Sequence, residues 1–156
     1  MKDFLRPYVT HLNRMERNLN KIAKDIVREN ADDIVQILRD EQLGKGIGSD
    51  GVIVGHYARV TQQYADNDKK WNRNQMKTYG EPYNFEWSGE AYKNLKIKFQ
   101  GDESFTIFTK KAKQELMEHL FGELFDLTDE FNDWVNEAII IPGLQQHIIN
   151  NLFPVI

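Results

Sequence analysis

Three glutamates lie close together in the segment from residue 80 to 99, GEPYNFEWSGEAYKNLKIKF. Two carboxylates can divide acid and base catalysis when their surroundings move their pKa values apart, so Glu81, Glu86 and Glu90 could form such a pair. The chain has no histidine between His56 and His119 to assist them. Glutamates spaced across a Gly-Pro turn are more often solvated, and we therefore predict no catalytic carboxylate here.

Ser88 is the candidate nucleophile of the same segment. Its context, Trp87-Ser88-Gly89, lacks the G-x-S-x-G pattern, and no strand runs straight into it to create the strained turn that such a nucleophile needs. A serine hydroxyl can instead cap nearby backbone, and glycine adopts positive φ at no steric cost. The pair Ser88-Gly89 therefore predicts a turn ahead of Tyr92.

A metal site is the next chemistry to weigh. Glu115, His119 and Glu123 are four residues apart, so a helix would stack them on one face. The H-E-x-x-H signature is missing, and an exposed helical face explains the same spacing. The chain has no cysteine, which excludes disulfides and thiolate chemistry. We predict no metal, no cofactor and no enzymatic activity.

The stretch from residue 43 to 51, LGKGIGSDG, holds four glycines. A glycine-rich stretch with a lysine invites comparison with a phosphate-binding loop, but G-x-x-x-x-G-K-[ST] is absent. The composition predicts a flexible loop that closes on the turn Ser49-Asp50-Gly51, with Gly46 and Gly51 in structural turn positions.

A long helix is predicted before this loop, over residues 10–42. Apolar residues from Leu12 to Ile26 recur at spacings of 3 and 4, which places them on one side of a helix. This stripe suits either the chain's own sheet or a partner helix. The first alternative is favoured, because the heptad pattern does not persist past Ile26.

Residues 52–109 are predicted to form a small sheet with an extended arm at 66–80. Residues 52–57, VIVGHY, read as a short strand, and the alternation of Leu95, Ile97 and Phe99 with lysines begins an antiparallel hairpin over 94–109. The arm interleaves Trp71 and Tyr79 with basic residues, as single-stranded nucleic acid binders do. A loop that orders against a protein partner is the favoured alternative.

Aromatic residues are the main candidates for an interface. Pro82 favours an extended chain, so Tyr83, Phe85 and Trp87 would project from one side. Exposed aromatic rows mark protein interfaces, whereas buried ones mark the edge of a core. The candidate interface set is Tyr83, Phe85, Trp87, Tyr92, Trp71 and Tyr79, and the predicted turn positions beside it are Pro82, Ser88 and Gly89.

Residues 110–156 are predicted to be helical and acidic. One helix would place Leu116, Leu120, Phe121 and Leu124 on one face, and Thr128 would begin another that Pro142-Gly143 breaks. All 20 basic residues lie at or before Lys113, whereas residues 114–156 carry eight acidic ones. The predicted fold is a single α+β domain over 1–156, in which the long N-terminal helix packs on the small antiparallel sheet.

The N-terminal segment, MKDFLRPYVT, lacks the apolar core of a secretory signal, and no stretch approaches 18 apolar residues. We therefore expect a soluble protein made in a cytoplasm, without a membrane partner.

Three short motifs between about residues 42 and 130 resemble virion proteins of tailed bacteriophages. The resemblance is to small tail-completion, neck or head-tail connector proteins of phages and prophages of Bacteroides-type bacteria. The motifs are Gly80-x-Pro82-Tyr83-x-Phe85 with Ser88-Gly89-x-x-Tyr92-x-x-Leu95-x-Ile97, Lys45-Gly46-Ile47-x-x-Asp50-Gly51 with Gly55-x-Tyr57-x-x-x-Thr61-x-x-Tyr64, and Phe121-Gly122-x-Leu124-Phe125-x-Leu127-Thr128.

The resemblance implies a virion subunit made in the host bacterial cytoplasm, working in a homo-oligomeric ring between head and tail. Its implied partners are further copies of itself, portal or adaptor proteins and tail proteins, with double-stranded DNA passing without specific binding. An acid-only surface would suit such a passage, because Lys and Arg contacts add affinity for phosphates. The alternative is an accessory protein that binds nucleic acid through its basic N-terminal helix and the 66–80 arm.

Overall fold

The computed structural model describes residues 6–67, 77–85, 89–101 and 104–152. It is a mixed α+β fold in which helices predominate around a two-stranded antiparallel sheet. The helices are α1 (Arg6–Glu16), α2 (Leu19–Glu29), α3 (Ala31–Ile37), α4 (Arg59–Asn67), α5 (Glu90–Lys93), α6 (Lys111–Phe121), α7 (Asp129–Val135) and α8 (Ile141–Leu152), and the strands are β1 (Lys96–Gln100) and β2 (Ser104–Phe108).

The structure does not confirm a single long helix over residues 10–42. The segment is helical for most of its length, but it is divided into α1, α2 and α3, with interruptions at Asn18 and Asn30. A π-helical turn at Leu38–Gln42 and a 3₁₀ turn at Leu43–Lys45 then end it. The apolar spacing predicted the helical conformation correctly but carried no signal for the breaks.

Asparagine side chains account for the breaks. An asparagine amide that donates to the carbonyl four residues earlier competes with the backbone and bends or ends the helix. Five asparagines at or near helix ends donate in this way, over 2.6–2.8 Å: Asn18, Asn30, Asn67, Asn94 and Asn151.

The hairpin predicted over 94–109 is confirmed. Strand β1 pairs with β2 in antiparallel register, from Lys96 opposite Phe108 to Gln100 opposite Ser104. Lys96 and Lys98 are exposed, as the alternation predicts. Helix α3 packs against β1. The predicted packing of N-terminal helix on sheet is therefore present, although a shorter helix makes the contact.

The core lies where the N-terminal helices, the hairpin and the loop between α6 and α7 meet. Ile34, Leu38, Leu43 and Leu124 are completely buried in it. The predicted helical face is wrong for Leu124, which lies beyond the end of α6, whereas Leu116 and Leu120 lie on the helix and are exposed. The buried members of the core are Val27, Ile34, Leu38, Leu43, Leu95, Ile107, Leu124, Phe125, Leu127 and Val135.

Residues 52–57 do not form the predicted strand. They make only isolated bridges, Ile47 with Ile53 and His56 with Pro82. Within the preceding glycine loop, the Gly51 N–H donates to the Gly48 carbonyl over 3.0 Å, so the predicted turn is present. The Ser49 N–H donates to the Glu123 carbonyl over 3.1 Å, and this bond fixes the loop against the residues that follow α6.

The helical path also continues through Pro142-Gly143, where a break was predicted. A π-helical turn at Asn136–Ile140 joins α7 to α8, and such a turn relieves the clash between a proline ring and the carbonyl four residues back. Gly143 allows α8 to approach α2, since a Cβ there would lie 2.9 Å from Ile26. The predicted helix start at Thr128 is confirmed, because its hydroxyl accepts from the Phe131 N–H.

None of the helices in the described parts of the chain is long and apolar enough to cross a membrane.

Candidate functional site

A cavity of about 360 Å³ opens between α4, α6 and the residues at 77–85 and 89–92. We call it the aromatic pocket. Most of its surface is apolar, and α6 supplies one wall. The residues that line it are Tyr57, Thr61, Lys77, Tyr83, Phe85, Gly89, Glu90, Ala91, Tyr92, Lys113, Leu116, Met117 and Phe121.

Backbone pairing between residues 55–57 and 80–83 positions the first two aromatic rings. The Tyr57 N–H donates to the Glu81 carbonyl over 2.9 Å, and the Tyr83 N–H donates to the Gly55 carbonyl over 3.0 Å. This short antiparallel contact brings the rings of Tyr57 and Tyr83 edge to face, 5.0 Å between centroids. Gly55 makes room for them, because a Cβ there would lie 2.6 Å from the Tyr83 ring.

Phe121, the last residue of α6, joins the aromatic rings to that helix. Its ring lies 5.3 Å from Tyr83 and 5.1 Å from Phe85, between centroids. Such tilted and edge-to-face pairs are favourable beyond the area that they bury. Phe85 has a φ of +48°, in the left-handed region that non-glycine residues rarely adopt. This backbone strain lies beside the pocket.

The floor of the pocket is polar and closely hydrogen-bonded. Lys77 is only 5% exposed, and its Nζ donates to the Tyr57 hydroxyl over 2.5 Å and to Asn84 Oδ1 over 2.9 Å. The Tyr57 hydroxyl donates to Asn84 Oδ1 and accepts from the Asn84 N–H. The Tyr92 hydroxyl donates to the Asn84 carbonyl. These bonds hold two of the rings in place, because Tyr57 and Tyr92 are anchored through their hydroxyl groups.

The mouth of the pocket carries charge and one exposed apolar side chain. Leu116 is 53% exposed, and Lys113 lies one turn before it on α6. Glu90 forms an ion pair with Lys110, with 2.6 Å between Oε1 and Nζ. The hydrogen bond from Lys110 lowers the pKa of Glu90 below its usual value. Glu90 is therefore ionised at neutral pH and has no proton to donate.

The structure brings three of the predicted interface aromatics together. Tyr83, Phe85 and Tyr92 all line the aromatic pocket. Tyr79 does not line it: it is exposed, and the Arg59 guanidinium lies 5.3 Å from its ring centroid. Trp71, Trp87 and Ser88 lie outside the described residues. Among the predicted turn glycines, Gly46, Gly51 and Gly89 have φ values of +73°, +79° and +70°.

The polar residues considered for catalysis or metal binding are arranged differently. Glu81 is exposed, Glu90 is paired with Lys110, and Glu86 lies outside the described residues. Glu115 and His119 are exposed on α6, whereas Glu123 lies beyond its end. Within the described ranges, no group of three His, Asp or Glu side chains is placed to hold a metal ion.

The sequence interpretation missed Tyr57, Lys77 and Leu116. Lys77 was assigned to a solvated arm, and its burial could not be read from a polar stretch. The spacing places Leu116 on one face of a helix, and such a face shows which residues lie together but does not show whether they are covered. Gly55 lies two residues before Tyr57, and a glycine so near an aromatic residue was the one available signal for close aromatic packing.

Comparison of the chain with protein-family models, with curated proteins and with solved structures finds no match. What the chain does is therefore inferred from its own residues.

Proposed function

We propose that the chain is a non-enzymatic structural protein of a tailed-bacteriophage virion. It joins head to tail by ring-like self-association and by docking to neighbouring portal, adaptor or tail proteins. It is made in the host cytoplasm and is incorporated into the virion. The observation that carries the proposal is the aromatic pocket, an open apolar cavity with a fixed polar floor and an exposed leucine at its mouth.

The composition of the pocket suits a protein partner. Interface energy concentrates in a few aromatic and apolar anchors that fill well-packed pockets, surrounded by a polar rim. Tyr83, Phe85 and Tyr92 supply the aromatic walls, and Lys113 and the Glu90–Lys110 pair supply the rim.

The fixed floor supports tight docking. The hydrogen bonds among Lys77, Tyr57 and Asn84 already order the floor before any partner arrives. A preorganised site loses less conformational entropy on binding, so more of the contact energy contributes to affinity.

The acidic half of the chain suits the passage of DNA without specific binding. Residues 114–156 carry eight acidic side chains and no basic ones, and seven of these acids are exposed. A surface of this kind repels phosphates. It would let double-stranded DNA move past a ring without the salt-dependent contacts that Lys and Arg create.

The alternative, binding of nucleic acid through the basic N-terminal helix, has less support. Lys24 Nζ and the Arg28 guanidinium lie 5.5 and 5.3 Å from the Phe99 ring centroid. Lys24 also donates to the Gly101 carbonyl over 2.7 Å. These two cations of α2 are engaged with the hairpin. Salt-dependent binding of the full chain to duplex DNA would favour this alternative over passive passage.

The proposal predicts that Leu116→Glu, made in the phage or prophage that encodes the chain, blocks the joining of heads and tails. The substitution removes the apolar side chain that a partner would contact and puts in its place a carboxylate that has to be desolvated on docking, a cost that Lys113, one turn away on α6, offsets only in part. We expect at least about a tenfold fall in joined particles, corresponding to a loss of roughly 1.4 kcal/mol or more in docking. Electron microscopy of lysates counts joined particles, free heads and free tails.

The matched control is Val52→Glu, which also places a glutamate on an exposed apolar position, 60% exposed and outside the pocket. It should leave the number of joined particles near the wild-type value. If particles with the Leu116→Glu variant join heads to tails in normal numbers, the pocket does not serve assembly.

A further inference from the structure

Helix α6 leaves an apolar face uncovered along its whole length. The structure describes every residue of α6, and none of them is buried. Leu116 and Leu120, one turn apart, are 53% and 61% exposed, and Ala112, one turn before them, is exposed as well. Short helices take most of their stability from packing of an apolar face. We call these three residues the α6 seam, a surface that a partner would cover.

Two opposite charges lie at the two ends of the α6 seam. Lys113 is in the first turn of α6, Glu123 follows the end of the helix, and both are exposed. Neither forms an ion pair within the described ranges. The pKa of Glu90 is lowered first by Lys110 and to a smaller extent by Lys113, but Lys110 makes the ion pair.

The other acidic and basic groups of α6 have partners on the same helix. Lys111 Nζ lies 3.7 Å from Glu115 Oε1, and Glu118 Oε1 accepts from Gln114 Nε2 over 3.0 Å. His119 is exposed on the side of the seam opposite to Lys113. Lys113 and Glu123 are therefore the opposite charges that this surface offers to a partner.

We propose that two copies of the chain pair through α6, antiparallel and about a two-fold axis, so that each α6 seam covers the other. With the axis level with Glu118, Leu116 of one copy lies opposite Leu120 of the other, and Lys113 lies opposite Glu123. Both matches arise because the members of each pair are equally far from residue 118 along the chain. The contact goes beyond the proposed function and does not depend on it.

The distribution of charge favours a second copy as the occupant. An antiparallel pair joins Lys113 to Glu123 twice, once on each side of the axis, and it also opposes the two helix dipoles. A parallel pair would bring like charges together instead. The α6 seam is therefore complementary to itself, which is the property that a two-fold contact between identical copies requires.

The contact is small, and it shares Leu116 with the aromatic pocket. Helix α6 has 11 residues, a length of about 16 Å, and two such helices bury less than the roughly 1,200 Å² of a standard interface. The dimer should therefore be weak and rapidly reversible. A second copy and a protein docked at the pocket mouth would compete for Leu116. A two-fold contact closes after two copies, so a ring needs a further contact.

The test is an exchange of charge between two variants of the full chain, Lys113→Glu and Glu123→Lys. Sedimentation velocity from micromolar to millimolar concentration measures their association. Each variant alone should associate about tenfold more weakly than the wild type, because both symmetric contacts become like-charge pairs. An equimolar mixture should regain the wild-type association, since each contact of a mixed pair again joins opposite charges. Native mass spectrometry with one variant isotopically labelled should show mixed pairs in preference to pairs of either variant.

Leu120→Glu tests the apolar part of the contact without changing the lining of the aromatic pocket, to which Leu120 does not belong. It should weaken association about tenfold or more, as loss of a central apolar anchor does. Val52→Glu is the control, at a position 60% exposed, and should associate as the wild type does. A wild type that is monomeric at millimolar concentration, a mixture no stronger than its components, or normal association by Leu120→Glu would each overturn the pairing.

These outcomes are separable from those of the proposed function. If the charge exchange restores association but Leu116→Glu joins heads to tails normally, the pairing of α6 is right and the proposed role of the pocket is wrong. If the exchange restores nothing but Leu116→Glu blocks joining, the pairing is wrong, and another virion protein covers Leu116.

Discussion

Replacing Gly46 with alanine is expected to lower the free energy of unfolding by about 3–5 kcal/mol. Gly46 has a φ of +73°, and a Cβ there would lie 2.4 Å from the Tyr83 carbonyl oxygen and 3.0 Å from the Pro82 Cβ. The alanine must therefore strain the backbone and also push away the segment that carries the pocket aromatics. Urea denaturation at one protein concentration measures the loss.

Gly51→Ala is the matched control for this prediction. Gly51 has a φ of +79°, but nothing lies within 4 Å of the position that a Cβ would occupy. It should lose only the conformational term, about 1–2 kcal/mol. Equal losses in the two variants would contradict the close approach of the glycine loop to Tyr83. A larger loss at Gly46 that is accompanied by weaker docking would connect the loop to the pocket.

Gln42→Leu should destabilise the chain by about 2–4 kcal/mol, although leucine is similar in size and forms helices well. Gln42 is completely buried. Its Nε2 donates to the Asp126 carbonyl over 2.8 Å, and its Oε1 accepts from the Thr128 N–H over 3.1 Å. The side chain therefore ties the end of the N-terminal helices to the loop before α7. Leucine would leave the buried Thr128 N–H without a partner and would remove the donor to the Asp126 carbonyl, which is what makes the substitution costly.

Gln63→Leu, at an exposed position of α4, is the control and should change the free energy of unfolding by less than about 0.5 kcal/mol. Thermal or urea unfolding of both variants gives the comparison. If Gln42→Leu is as stable as the control, the hydrogen bonds of Gln42 contribute nothing to stability, and the packing of α7 must depend on apolar contacts alone.

The hairpin and the start of α7 could be predicted because local signals specify them. Alternation of Ile97 and Phe99 with lysines fixes the faces of β1, and Thr128 followed by two acidic residues marks a helix start. Both signals act over a few residues. They need no knowledge of the rest of the fold.

The remaining structure depends on contacts between distant residues. The breaks at Asn18 and Asn30 come from asparagine amides that could equally have pointed to solvent. Gln42 reads as an ordinary helical residue, yet its partners lie more than 80 positions away. The burial of Lys77 follows only from the approach of Tyr57 and Asn84. Periodicity identifies neither the partner nor the burial of such residues.

Three residues of the aromatic pocket belong to the interface set that the sequence suggests. Tyr83, Phe85 and Tyr92 were selected as interface candidates because aromatic residues were concentrated in one stretch, and these three line one cavity. The opposite wall, from α6, and the floor from Tyr57 and Lys77 come from other parts of the chain. One stretch of sequence can show which residues are concentrated together, but a cavity needs walls from several elements.

The central claim is that the chain is a structural component of a tailed-phage virion. The most direct measurement is quantitative mass spectrometry of purified, nuclease-treated phage particles from a lysate of the cells that carry the gene. The claim predicts that the chain is present in joined particles at a fixed number of copies relative to the portal protein. Its absence from joined particles, with the chain recovered only from the soluble fraction of the lysate, would contradict the claim.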